Sequence, residues 1–134
     1  MAEEVIVRSK EKRYRGQTLE HLKSLGVREC AKYLSARSRR SVLRNFDVVE
    51  KFIKVCEKKI ERKKRIRTHL RDIVIVPRLV GMTIGIHNGR GFQDTTITIE
   101  MIGHRLGEFA MTRSRVAHSG DGIGATKGSR SKKK

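Results

Sequence analysis

Thr83-Ile84-Gly85-Ile86-His87-Asn88-Gly89-Arg90-Gly91-Phe92-Gln93-Asp94-Thr95-Thr96-Ile97-Thr98 is the stretch that decides the fold. Residues 83–87 read as a strand, and Asn88-Gly89 is a turn signal because both residue types tolerate positive φ. A further strand is expected from residue 92 to residue 98, with Ile97 and Ile99 on one face. Just upstream, Ile73-Val74-Ile75-Val76 is a β-branched run too short for a stable helix and closed by Pro77. It predicts a buried strand. Together these runs predict a small, mainly antiparallel three-stranded sheet.

Towards the N-terminus the period changes to that of helices. Thr18 can cap a short helix in which Leu19, Leu22 and Leu25 recur, and Gly26 suits its end. Val27, Cys30, Ala31 and Leu34 make the next apolar stripe, at i, i+3, i+4 and i+7. Ser35-Ala36-Arg37-Ser38-Arg39-Arg40 interrupts it with charge. A longer helix is expected from Asp47, whose carboxylate can cap, with Glu50 completing a capping-box pair. Val49, Phe52, Ile53, Cys56 and Ile60 line one face of it, and it runs into the mostly basic residues 58–67.

Beyond the sheet, residues 100–106 suggest a short helical turn between Gly103 and Gly107. The closing stretch, rich in Gly, Ser, Lys and Arg, has too little apolar content for a core and is expected to be disordered alone. The fold class is therefore α+β: N-terminal helices, a small sheet and a basic C-terminal tail. The organisation expected is a basic N-terminal extension (1–17), a helical region (18–66), a sheet-containing core (67–115) and the tail (116–134).

Charge supplies the function class. Thirty-two Lys and Arg face 14 acidic residues in 134, a net charge of +18. Such an excess repels itself in a compact state and calls for a polyanion. No apolar run approaches the roughly 20 residues of a membrane span. The acidic start, Met1-Ala2-Glu3-Glu4-Val5, lacks the order of a signal peptide. Cys30 and Cys56 form no Cys-x-x-Cys pair and lie on apolar helical faces, so they read as buried hydrophobes in a reducing, cytosolic compartment.

Reactive constellations are missing. His21, His69, His87, His104 and His118 are scattered, with no metal-binding spacing. Residues 120–127 look superficially like a phosphate loop but fail its Gly-Lys spacing and lack a strand-to-helix frame. Neither an enzyme, a cofactor nor a metal site is expected. The basic clusters are the informative chemistry: Arg15; Arg37, Arg39 and Arg40; residues 58–67; Arg71; Arg113 and Arg115; and residues 127–134. Arg pairs bidentately with phosphate and Lys supplies a mobile point charge. Only Tyr14, Tyr33, Phe46, Phe52, Phe92 and Phe109 are aromatic, and no RNP-like pair of them is placed on adjacent strands, so the expected ligand is folded RNA held by shape and phosphate rather than by base stacking. Glu108, between Arg105 and Arg113, reads as a structural ion pair.

The second half resembles a known family. Arg67-Thr68-His69-Leu70-Arg71-Asp72, then residues 80–90 ending in Asn88-Gly89-Arg90, then Ile102-Gly103 and Leu106-Gly107-Glu108-Phe109 with Thr112, are similar to the small-subunit ribosomal protein S-nineteen family, S-fifteen in eukaryotic naming. Tyr14-Arg15-Gly16, the arginine block at 35–40 and Gly122-Ile123-Gly124-Ala125-Thr126 resemble its archaeal and eukaryotic branch. Arg78 departs from the pattern, standing where eukaryotic members are expected to carry an acid.

The resemblance implies a non-enzymatic constituent of the small-subunit head. Its partners would be small-subunit rRNA and neighbouring head proteins, with tRNA and the large subunit beyond them. It would not be a homo-oligomer, and it would be assembled in the nucleolus if eukaryotic. The residues expected to bind rRNA are Arg15, Arg37, Arg39, Arg40, Lys63, Lys64, Arg65, Arg67, His69, Arg71, Asn88, Arg90, His104, Arg105, Arg113, Arg115 and His118. Lys127, Arg130 and Lys132 are expected in a tail near tRNA. The competing reading, a free architectural or regulatory DNA-binding protein, uses the same phosphate chemistry without an assembly.

Overall fold

Residues Val49, Phe52, Ile53 and Cys56 recur at helical spacing, and all four are buried on one face of the longest helix. The computed structural model describes residues 13–113. In chain order it has strands β1 (Arg13–Tyr14) and β2 (Gln17–Thr18) and helices α1 (Leu19–Ser24), α2 (Val27–Cys30), α3 (Ala36–Arg44) and α4 (Phe46–Glu61). Strands β3 (Ile66–Thr68), β4 (Thr83–His87) and β5 (Phe92–Thr96) follow. Single 3-10 turns lie at Ala31–Tyr33, Pro77–Leu79, Ile99–Met101 and Leu106–Phe109.

β1 and β2 make a hairpin that no apolar pattern in the sequence announces. Its two-residue loop, Arg15-Gly16, has φ of 47° and 81°, the sign a type I′ turn requires at both central positions. Thr18 caps α1 as expected, its Oγ1 accepting from the His21 N–H at 3.5 Å. Gly26 does not terminate that helix but opens α2, where its N–H donates to the Glu29 carboxylate at 3.2 Å. Val27, Cys30, Ala31 and Leu34 are all buried, so the second apolar stripe holds.

The arginine-rich block is helical and not an interruption. α3 buries only Val42 of its own apolar residues; the rest of its inner contact is polar. Ser38 Oγ donates to the Gly103 carbonyl at 2.7 Å, and Arg39 reaches three carbonyls of the preceding turn. A helix seated through polar groups leaves no apolar period to read. α4 starts one residue before Asp47, with Asn45 at the cap position. Asp47 lies in the first turn, where its charge complements the helix dipole, and Glu50 pairs with Lys54 at 3.2 Å instead of reaching back. Ile60, expected on the apolar face, is 47% exposed because the last turn projects past the core.

The sheet is three-stranded, in the order β3-β4-β5. β4 and β5 are antiparallel with His87 opposite Phe92, as the Asn-Gly turn predicts. β3 runs parallel to β4, with Ile66 opposite Ile84. The third strand is thus residues 66–68, not 73–76. That run is fully buried, but it pairs elsewhere, with residues 103–107. Ile75 N–H donates to the His104 carbonyl at 2.8 Å, Gly103 N–H to Ile75 at 3.0 Å and Leu106 N–H to Ile73 at 3.0 Å. Gly103, at φ 87°, and the 3-10 turn at Leu106 stop this pairing from extending beyond one Val74–Arg105 bridge.

One core joins α2, α3 and α4 to the inner face of the sheet. Ile66, Ile84 and Ile86 point into it, with Ile73, Val74, Ile75 and Val76 running through its centre. Leu79, Ile97, Ile102, Leu106 and Ala110 close it from the second half.

Candidate nucleic-acid interface

On α3 the arginines separate by face. Arg37, Arg40 and Arg44 recur at i, i+3 and i+7, opposite buried Val42, and none has a side-chain partner among the described residues. Arg39 points the other way. Its Nε donates to the Ala31 carbonyl at 3.1 Å, and Nη2 donates to those of Lys32 at 2.9 Å and Leu34 at 3.3 Å. It closes the open end of the 3-10 turn, so the first three arginines do not act as one cluster. Arg44, absent from the expected contacts, becomes a candidate once α3 is known to be a helix.

A second basic surface lies where α4 hands over to β3. Arg62 caps the helix and Lys63 follows at φ 52°, its N–H donating to Ile60 at 2.8 Å while Lys64 N–H donates to Lys59 at 2.8 Å. This is a Schellman-type end with lysine at the position glycine usually takes. It presents Lys63, Lys64 and Arg65 to an open cleft whose far wall is Gly81, Met82, Thr83 and Asp94.

The outer face of the sheet carries the third. Register places Thr83 with Thr96, and Gly85 with Asp94 and Arg67, on one side of the sheet. His87 with Phe92 lie on that side, and His69 reaches the same row from just past β3. The ring centroids of His69 and His87 are 4.5 Å apart, and each lies 5.1 Å from that of Phe92. The Arg67 guanidinium sits 5.3 Å from the Phe92 ring centre. No pair of Phe or Tyr side chains occupies adjacent strands of this sheet, as expected, but two histidines that the sequence reading left scattered join Phe92 in one ring cluster. The hairpin reading itself implies part of it, because strands at 83–87 and from 92 put His87 against Phe92.

Other expected contacts are committed to the fold. Arg71 Nη2 donates to the Gly107 and Ala110 carbonyls at 2.8 and 2.7 Å, and its Nη1 donates to the His87 carbonyl. The Gly107 N–H returns a bond to the Arg71 carbonyl at 2.7 Å, and a Cβ on Gly107 would stand 3.0 Å from that oxygen, so a larger residue would have to push this backbone aside. Asn88 Oδ1 accepts from the N–H groups of Arg90 at 3.0 Å and Gly91 at 2.9 Å, shaping the hairpin loop and leaving Arg90 exposed at its tip. Arg105 is half-buried, its Nη2 3.5 Å from Ser41 Oγ. Arg15 lies 3.5 Å from the Leu34 carbonyl, and Arg113 is exposed. Arg115, His118, Lys127, Arg130 and Lys132 lie outside the described residues, as does the expected disorder of the tail.

Glu108 is structural, though not through arginine side chains. One carboxylate oxygen accepts the Arg105 N–H at 3.0 Å and the other meets His104 Nδ1 at 2.6 Å. The backbone hydrogen bond from Arg105 holds its pKa below the ordinary carboxylate value against the opposing effect of burial, with His104 adding to the lowering. Arg78, the departure from the family pattern, pairs with Glu57 at 3.0 Å. Burial pushes the Cys30 thiol up, and that of Cys56 to about 11, so both stay protonated at neutral pH. Among the described residues no group of three or more His, Cys, Asp or Glu could hold a metal ion, and no helix is long and apolar enough to cross a membrane.

The described residues thus present three basic surfaces and no convergent catalytic group. Residues 40–118 match the family Ribosomal protein S19. The chain is 45% identical over 123 residues, 92% of its length and 80% of the relative's, to small ribosomal subunit protein uS19 of Picrophilus torridus.

Proposed function

The chain belongs to the ribosomal protein S19 family, and from that premise we propose that it is a small-subunit constituent that binds rRNA in the subunit head through phosphate contacts. The observation that carries the binding mode is the open face of α3. Arg37, Arg40 and Arg44 line up with no protein partner among the described residues, while Arg39 on the same helix is spent on carbonyls. Cations left unpaired on a rigid helix are placed for an external anion. Lys63, Lys64 and Arg65 supply a second anchor, and Arg67 and Arg90 a third. The fold sets the spacing between them, which suits the fixed shape of folded RNA.

No catalytic step or cofactor is assigned. Neighbouring head proteins complete the setting, and the basic tail, with Lys127, Arg130 and Lys132, extends toward the tRNA sites and the large subunit. Charge and family membership support that placement. The test is sedimentation of the tagged chain from a cell lysate on a sucrose gradient. Co-migration with small subunits, resistant to DNase, is expected. Sedimentation with DNA, or as free protein, would overturn the reading in favour of an architectural DNA-binding protein or a chain outside the ribosome.

A further inference from the structure

We propose that His69, His87 and Phe92 form a stacking platform that receives one unpaired nucleobase of the rRNA, with Arg67 and Arg90 holding its flanking phosphates. The inference rests on the rRNA-binding reading and adds a mode of recognition that charge alone does not give. Three rings of different strands or strand ends lie within 4.5–5.1 Å of each other on the outer face of the sheet. Phe92 is 37% exposed there, the rest of its surface covered by His69, His87 and Arg67. His69 is also exposed, and His87 half-exposed.

The surroundings favour a base over an apolar partner. Arg67 crosses the Phe92 ring at 5.3 Å, and Arg90 stands at the tip of the loop joining β4 to β5. Asp94, one row away, is the only acid that β3, β4 and β5 place on this face, and its carboxylate lies over Gly85, where a Cβ would stand 2.8 Å from Oδ1. A π-face flanked by cations matches a nucleobase flanked by phosphates, whereas an apolar peptide would leave both arginines without an anion. The Thr68 side chain faces inward and accepts the Leu70 N–H at 3.0 Å, which fixes the bend bringing His69 over His87.

The chain contains no tryptophan, so Phe92→Trp places a single tryptophan on the platform, which can be excited apart from the two tyrosines. Titrating this full-length variant with a small-subunit rRNA transcript should quench its emission by more than about half, as ring–base stacking does. Emission from a control variant, Met111→Trp at an exposed position, should change little. Phe92→Ala should weaken binding about 5- to 100-fold with the salt slope unchanged, because stacking and not a phosphate contact is lost. Circular dichroism confirms the fold of each variant. Emission from the Phe92→Trp protein that stays unquenched during binding would overturn the platform while leaving rRNA binding intact. So would an affinity unaffected by Phe92→Ala, the result expected if a protein covers this face. Failure of the unaltered chain to bind the transcript would remove the rRNA reading and the platform with it.

Discussion

Arg71 Nη2 lies 2.7 Å from the carbonyl oxygen of Ala110, 39 residues away, and the same guanidinium reaches Gly107 and His87. A single cation thus ties the start of the second half to its last described turn and to the end of β4. It reads in the sequence as one more RNA-binding arginine, and three of its five N–H donors are committed to backbone carbonyls.

Arg71→Ala should therefore cost stability before it costs binding. Charged hydrogen bonds contribute about 1.5–3 kcal/mol each, and water can reach part of this half-buried site, so a loss of about 2–4 kcal/mol is expected. Thermal or urea unfolding measures it. A loss below about 0.5 kcal/mol, the range of ordinary surface changes, would show that the carbonyls need no such partner.

Lys63 offers the opposite sign. A non-glycine residue in the left-handed region costs about 1–2 kcal/mol, while glycine adds about 0.5–1 kcal/mol of unfolded-state entropy. Lys63→Gly should therefore stabilise the protein by about 0.5–1 kcal/mol. It should also weaken RNA binding and flatten the salt slope by about 0.7–0.9. A less stable variant would show that the lysine side chain supports the helix end.

Glu108 makes the lower end of the pH range informative. Its pKa is depressed in the folded state, so its contribution is complete above the ordinary value of 4.5 and is lost as pH falls through the lower folded value. The group is largely exposed, so the effect should be modest. Glu108→Gln should show a flatter stability profile in that acidic window, its deficit fullest at pH 7 and fading as pH falls through the folded value. Parallel acid profiles for the two proteins would show that the Arg105 N–H and His104 contacts of the Glu108 carboxylate are energetically silent.

How much of this could be read in advance depends on what each segment packs with. The β4–β5 hairpin and the buried face of α4 announce themselves because apolar period and turn chemistry agree there. α3 hides because it docks through Ser38 and Arg39, whose polarity imitates a loop. Residues 73–76 look like a sheet strand because β-branched runs record burial, not the identity of the partner. Ile66–Thr68 reads as the end of a basic run, since three residues are too few to show alternation. Among the cations, type and number are plain in the sequence, but the division between Arg39 or Arg71 and Arg37 or Arg40 exists only in three dimensions. The ring platform is within reach of the sequence: the strand limits alone set His87 opposite Phe92.

The open face of α3, with Arg37, Arg40 and Arg44, is the surface proposed to hold phosphate. The most direct test is the salt dependence of binding to a small-subunit rRNA transcript, compared between the unaltered chain and Arg37→Ala/Arg40→Ala/Arg44→Ala. Each lost phosphate contact removes about 0.7–0.9 from the slope of log K against log salt, so the triple variant should be shallower by about 2–3 with its melting curve unchanged. An identical slope, or a variant that no longer folds, would contradict the claim that these three arginines face the RNA.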